Sequence, residues 1–117
     1  MKHNFRKMKI WIDALELSIE TYKITKQFPD SERFGLTSQI RRAAVSVPSN
    51  IAEGSGRSTV KDFQHFLDVS LWSSYELETQ FIIAQRLDYF QHANTNEFQT
   101  KLNELQKMIV SFSSQLN

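Results

Sequence analysis

Residues 96–117, NEFQTKLNELQKMIVSFSSQLN, carry Phe98, Leu102, Leu105, Ile109, Phe112 and Leu116 in a strict alternation of four and three residues. A helix with that spacing turns one apolar seam to its neighbours, and sustaining it for nearly three heptads suits near-antiparallel packing in a bundle. The rest of the chain supplies the partners. Met8, Trp11, Ile12, Leu15, Ile19 and Tyr22 recur at steps of three and four, with Ile10, Leu17 and Ile24 in a second row beside them, which predicts a helix over about 8–27. Phe28-Pro29-Asp30-Ser31 ends it, because proline holds the preceding residue away from helical angles and Asp and Ser favour turns. Ile40, Ala44, Val47 and Ile51 mark a second helix over about 38–53, with Thr37 as its N-cap and Gly54-Ser55-Gly56 supplying the left-handed residue of a C-cap. Ser58 or Thr59, with Asp62 in capping-box position, opens a third over about 59–90 that holds more apolar residues than one buried face can use. Ala93-Asn94-Thr95-Asn96 reads as a turn before a fourth over about 96–115. The expected fold is all-α: an antiparallel up-down four-helix bundle forming a single domain over residues 1–117. Pro48 falls inside the second helix, where it cannot donate to the Ala44 carbonyl and crowds it. A kink is expected there, the alternative being two shorter helices that meet at Ser46 to Pro48.

The 117 residues include 14 Lys plus Arg, 13 Asp plus Glu, no cysteine, 3 Gly and 2 Pro. A chain of this length can bury enough surface to fold without disulfides or a metal. The lack of cysteine removes thiolate catalysis, CxxC redox chemistry and thiolate zinc sites, and fits a reducing, cytoplasmic setting. No stretch reaches the roughly 20 apolar residues of a membrane span, so no membrane partner is expected.

The net charge of +1 hides an uneven distribution. Residues 1–12 carry Lys2, Arg6, Lys7 and Lys9 and no acid, and residues 33–61 carry Arg33, Arg41, Arg42, Arg57 and Lys61 against Glu53 alone. Residues 13–32 and 62–117 are acidic. The second helix with its exit, plus the N-terminal arm, is thus the only positive territory, where phosphate would bind; Arg41 and Arg42 could equally pair with carboxylates of a neighbouring helix or subunit.

Little else suggests chemistry. Asp62 and His65 form a single, shortened copy of the Glu-x-x-His pattern that di-iron bundles need twice. Asp88 and His92, one turn apart, read as an exposed helix pair. Arg86, followed by His92, resembles the Arg-to-His motif of the helical ribonucleases of higher-eukaryote and prokaryote nucleotide-binding domains, at a spacing that occurs often by accident. There is no Ser/His/Asp arrangement, phosphate-cradling glycine loop or nucleotide fingerprint, so no enzyme, cofactor or metal is expected.

One segment is far more specific. Residues 36–57, LTSQIRRAAVSVPSNIAEGSGR, resemble the hallmark of the bacterial four-helix-bundle proteins called 23S ribosomal RNA intervening-sequence proteins. Trp11, Phe28-Pro29, the cluster of Phe63, Phe66 and Leu67, and Tyr75-Glu-Leu-Glu-Thr79 extend the likeness over most of the chain, helix four matching by pattern alone. The resemblance implies an up-down bundle that assembles into a ring-like homo-oligomer, with five subunits expected. It extends more distantly to the accessory proteins of diversity-generating retroelements, basic ring-forming bundles that bind nucleic acid, from which this nearly neutral chain differs. It brings no established catalytic residue, but it draws attention to Arg41, Arg42, Ser46, Pro48, Asn50, Glu53 and Gly54.

Two functions stay open on this basis. In one, Arg41, Arg42, Arg57 and Lys61, with Lys7 and Lys9 of the arm, contact the phosphates of RNA or another nucleic acid. In the other, the protein is a structural or protein-interaction module whose arginines hold the second helix in the assembly.

Overall fold

The first apolar row becomes α1 (Lys9–Thr25), and the segment around Pro48 becomes α2 (Leu36–Ser55). The chain continues through α3 (Val60–Arg86) and α4 (Thr95–Ser114), with short 3-10 turns at Phe5–Lys7 and Asp30–Glu32. The computed structural model describes residues 3–91 and 95–117, so His92 and the turn expected at Ala93 and Asn94 lie outside the described residues.

Hydrogen bonds and contacts between helices establish their directions. Ser18 meets Ala44 and Thr25 meets Arg41, so α2 runs down against α1. Ser70 meets Val47 and Gln64 meets Ser113, which sets α3 antiparallel to α2 and to α4. Each helix packs on the next and α4 closes on α1, giving the expected up-down bundle. Its long dimension of 45 Å matches the 27 residues of α3 at about 1.5 Å per residue.

The core takes Ile10 and Leu17 from the second α1 row and Ala14 from outside both rows, with Ile40, Val47 and Ile51 of α2, Phe63, Leu67 and Phe81 of α3, and Phe98, Leu102 and Ile109 of α4, while Ile12, Leu15, Ile19 and Tyr22 of the first α1 row stay exposed. At one end Phe81 stacks on Phe98 at 4.4 Å between centroids, and Phe90 bridges Phe81 and Phe28. At the other, His3 lies over Phe63, and its amide donates to the last α2 carbonyl, Ser55, at 3.0 Å.

Three expected boundaries shift. α3 stops at Arg86, not near 90, because Asp88 adopts a left-handed φ of 57°. The amides of Asp88 and Tyr89 then turn back to the carbonyls of Gln85 and Ala84, closing the helix with a Schellman motif built on Asp instead of Gly. Thr37 is not the N-cap of α2: it is buried inside the first turn, and the Glu32 carboxylate accepts the Leu36 amide at 3.1 Å instead. No described glycine has a positive φ, so Gly54 and Gly56 do not end α2 through left-handed angles. Gly54 is needed for proximity: a Cβ there would lie 2.7 Å from Phe66 Cβ and 2.9 Å from Phe63 Cδ1, and only a bare Cα lets α3 come so near.

α2 itself runs unbroken through Pro48, so the reading as two shorter helices is set aside.

Candidate functional site

Hydroxyl groups converge on the middle of α2 from both sides. Pro48 has no amide hydrogen, which leaves the buried carbonyl of Ala44 without its helical donor. The Ser18 hydroxyl of α1 donates to that carbonyl at 2.7 Å, while also lying 3.0 Å from its own Ala14 carbonyl. From the opposite side, the Ser70 hydroxyl donates to the Val47 carbonyl at 2.8 Å, and the Ser46 and Ser73 hydroxyls share a hydrogen bond of 2.8 Å. Asn50 Nδ2 donates to both the carbonyl and the hydroxyl of Ser46. Ser46, Asn50 and the carbonyls around Pro48 are therefore bonded into the seat of α2 between α1 and α3, and Gly54 adds a separate close approach to Phe63 and Phe66 of α3. Glu53 stands apart, exposed and paired with Arg57 at 2.9 Å.

The candidate cations do not form one cluster. Arg41 is half-buried against α1: its Nε donates to Thr25 Oγ1 at 2.8 Å, and its guanidinium lies 4.6 Å from the centre of the Tyr22 ring. Helical angles turn Arg42 by about 100° from Arg41, and it is exposed. Arg57 lies roughly 20 Å further along the axis of α2, paired with Glu53 and stacked over Phe66 at 4.5 Å. Lys61 opens α3 beside it, exposed, at the same end of the bundle as exposed Arg6 and Lys7. Lys9 is paired with Asp13 at 3.0 Å. The structure thus gathers Arg6, Lys7, Arg57 and Lys61 at one end and leaves Arg41 and Arg42 on the outer side of α2.

The partners that sequence reasoning missed are the α1 hydroxyls Ser18 and Thr25, and the use of the Tyr22 ring as a seat for Arg41. Ser18, Thr21 and Thr25 did leave a signal, since they follow helical spacing on the apolar face of α1 and each bonds back to a carbonyl one turn earlier.

Elsewhere, α1 and α4 border a groove of about 440 Å³ lined mainly by charged side chains, including Glu16, Glu20, Glu97 and Glu104. The ammonium of Lys101 is bonded to Glu97 there, and that contact, reinforced by Glu16 and Glu20, holds its pKa above the usual value. Asp62 and His65 are both exposed, Asp62 giving its amide to the Thr59 cap. No three His, Asp or Glu among the described residues are placed to hold a metal ion. Arg86 is exposed, and the His92 of its motif lies outside the described residues.

A family model described as 23S rRNA-intervening sequence protein matches residues 6–111. The fold is also similar to the crystal structure of a protein of unknown function from the S23 ribosomal protein family of Bacteroides thetaiotaomicron. The TM-score is 0.78 over 89% of this chain and 97% of the other, at 21% identity. No curated protein matches.

Proposed function

The chain belongs to the 23S rRNA-intervening sequence protein family, and on that premise we propose that it is a non-catalytic, self-associating helical module of the cytoplasm. The observation that carries this reading is the row of Ile12, Leu15, Ile19 and Tyr22, which α1 leaves exposed, together with Trp72 of α3, 57% exposed. A small bundle that leaves one helix apolar on two faces has a surface to cover. The arginines agree with this role: Arg41 is spent on Tyr22 and Thr25, and Arg57 on Glu53 and Phe66. Five copies is the number that the family resemblance implies. Light scattering at tens of micromolar tests the proposal: a mass several times the 13.7 kDa of one chain supports it, and a monomer overturns it. No described helix is long and apolar enough to cross a membrane.

A second reading has its own support. Arg6, Lys7, Arg57 and Lys61 are exposed at one end, where Glu53 is taken up by Arg57, a surface suited to RNA phosphates. Binding there is weak and indifferent to sequence, because phosphate contacts carry no base information. Fluorescence anisotropy with a structured RNA at two salt concentrations tests it. Lys7→Ala with Lys61→Ala should lower both the affinity and the salt slope, by about 0.7 in log-log terms per lost contact on single strands. Equal binding by wild type and variant sinks this reading.

A further inference from the structure

Two outer surfaces of the bundle are opposite in charge and alike in apolar character. The first joins α1 to α2. Leu15, Ile19 and Tyr22 form a stripe at steps of four and three, all exposed, with Ile19 at 49%. The contacts of Ser18 with Ala44 and of Arg41 with Tyr22 bring exposed Val45 alongside that stripe. The cations near this face include half-buried Arg41, whose guanidinium lies over Tyr22, with exposed Arg42 beside it on α2 and exposed Lys26 one turn after Tyr22 at the end of α1. Asp13, Glu16 and Glu20 line the groove toward α4, which Ile19 and Lys23 border as well, so Ile19 stands at the edge where that groove meets this face.

The second surface is the outside of α3. Trp72 is flanked one turn before and one turn after by exposed Asp68 and Glu76, with Tyr75 and Ile83 exposed beside them. Residues 62–85 contain no Lys or Arg. α3 stands diagonally across the bundle from α1, so one chain cannot bring its own two surfaces together.

We infer that the α1–α2 face of one copy seats the Trp72 face of the next copy, with Arg42 facing Asp68 and Glu76. This rests on the self-association proposed above and specifies its geometry. Because the two patches differ, each copy uses one and offers the other, so the contact is heterologous and head-to-tail, and its repetition closes a ring or extends a filament. Apolar side chains at the centre with opposite charges at the rim are what such a contact requires.

Single-face variants test the pairing. Ile19→Glu blocks the first surface, Trp72→Glu the second, and circular dichroism and melting confirm that each variant is folded. Each alone should be monomeric by light scattering. Mixed in equal amounts they should form a 1:1 dimer and nothing larger, since only one productive contact remains. If either variant assembles like wild type, or if two folded monomers fail to pair on mixing, the inference is wrong while self-association stands. A monomeric wild type overturns both. If either variant fails to fold, charge reversal takes its place: Arg42→Glu should weaken association about three- to tenfold, and adding Asp68→Arg and Glu76→Arg to the same chain should restore it. Failure of that restoration also rejects the pairing.

Discussion

The Ser18 hydroxyl does for α2 what the backbone of Pro48 cannot. It donates at 2.7 Å to the Ala44 carbonyl, the group that an amide at position 48 would have served. Ala44 and Ser18 are both buried, so no solvent stands in for the missing donor. An unsatisfied buried carbonyl costs about 1–3 kcal/mol. Ser18→Ala should therefore destabilise the protein by about that much in urea titration. In a Pro48→Ala background, where an amide is restored, the same change should cost less than half as much. Equal costs in the two backgrounds would show that Ser18 acts independently of the proline. The bend expected at Pro48 has its own readout, a change in assembly mass in Pro48→Ala without loss of helicity.

Gly54 sets the distance between α2 and α3. Alanine there gains about 1 kcal/mol of helix propensity over glycine, but its Cβ meets Phe66 Cβ at 2.7 Å. That atom is anchored to the α3 backbone, so relief requires the helices to part. Overpacking of this kind costs about 1–3 kcal/mol and should prevail, lowering the melting temperature of Gly54→Ala by several degrees. A melting temperature at or above wild type would show that the helices separate freely.

Arg41 and its neighbour should behave differently. Loss of the Thr25 bond and the Tyr22 stack makes Arg41→Ala destabilising by about 1 kcal/mol. Arg42→Ala, at an exposed position, should stay within about 0.5 kcal/mol. Chemical denaturation of the two variants measures the contrast, and equal stabilities would remove the structural role assigned to Arg41.

Glu32 ties three elements together by accepting the Leu36 amide at 3.1 Å and the Tyr89 hydroxyl at 2.8 Å. The Leu36 bond first, and the Tyr89 bond second, hold its carboxyl below the ordinary value of 4.5. A carboxylate depressed in the folded state stabilises above the unfolded pKa and loses that stabilisation as pH falls through the lower folded value. Below pH 4.5 wild type should thus lose stability more steeply than Glu32→Gln, and Tyr89→Phe should fall between them. Parallel melting curves for wild type and Glu32→Gln across that range would contradict the assignment.

Most of the architecture is legible in the spacing of apolar residues, because a bundle helix must bury a seam that repeats with its own turn. The alternation from Phe98 to Leu116 and the row from Ile10 to Ile24 lead directly to α4 and α1. The end of α3 is less legible, because Asp88 takes the left-handed position for which glycine is the usual signal. Thr37 misleads for a related reason: Glu32, four residues before Leu36, reaches the amide first. The role of Arg41 depends on register, since a charge pattern cannot reveal that Tyr22 and Thr25 of another helix stand opposite it. Pro48 is visible as a disturbance from the outset, whereas its remedy on α1, 30 residues away, becomes visible only once the helices are aligned.

The hydroxyls of Ser18 and Ser70 also bear on the order in which the chain can fold. α2 completes its bonding with groups that arrive from α1 and α3, so it cannot mature before them. As a nucleus it is poor: Pro48 leaves residues 36–47 as its longest uninterrupted stretch, with no side-chain cap of its own, about the length below which isolated helices in water are marginal. A peptide of residues 36–55 should therefore show little helicity by circular dichroism, while the same segment is fully helical in the intact protein. The segment on which the family resemblance rests is thus expected to form little helix by itself and to take its shape on docking with α1 and α3.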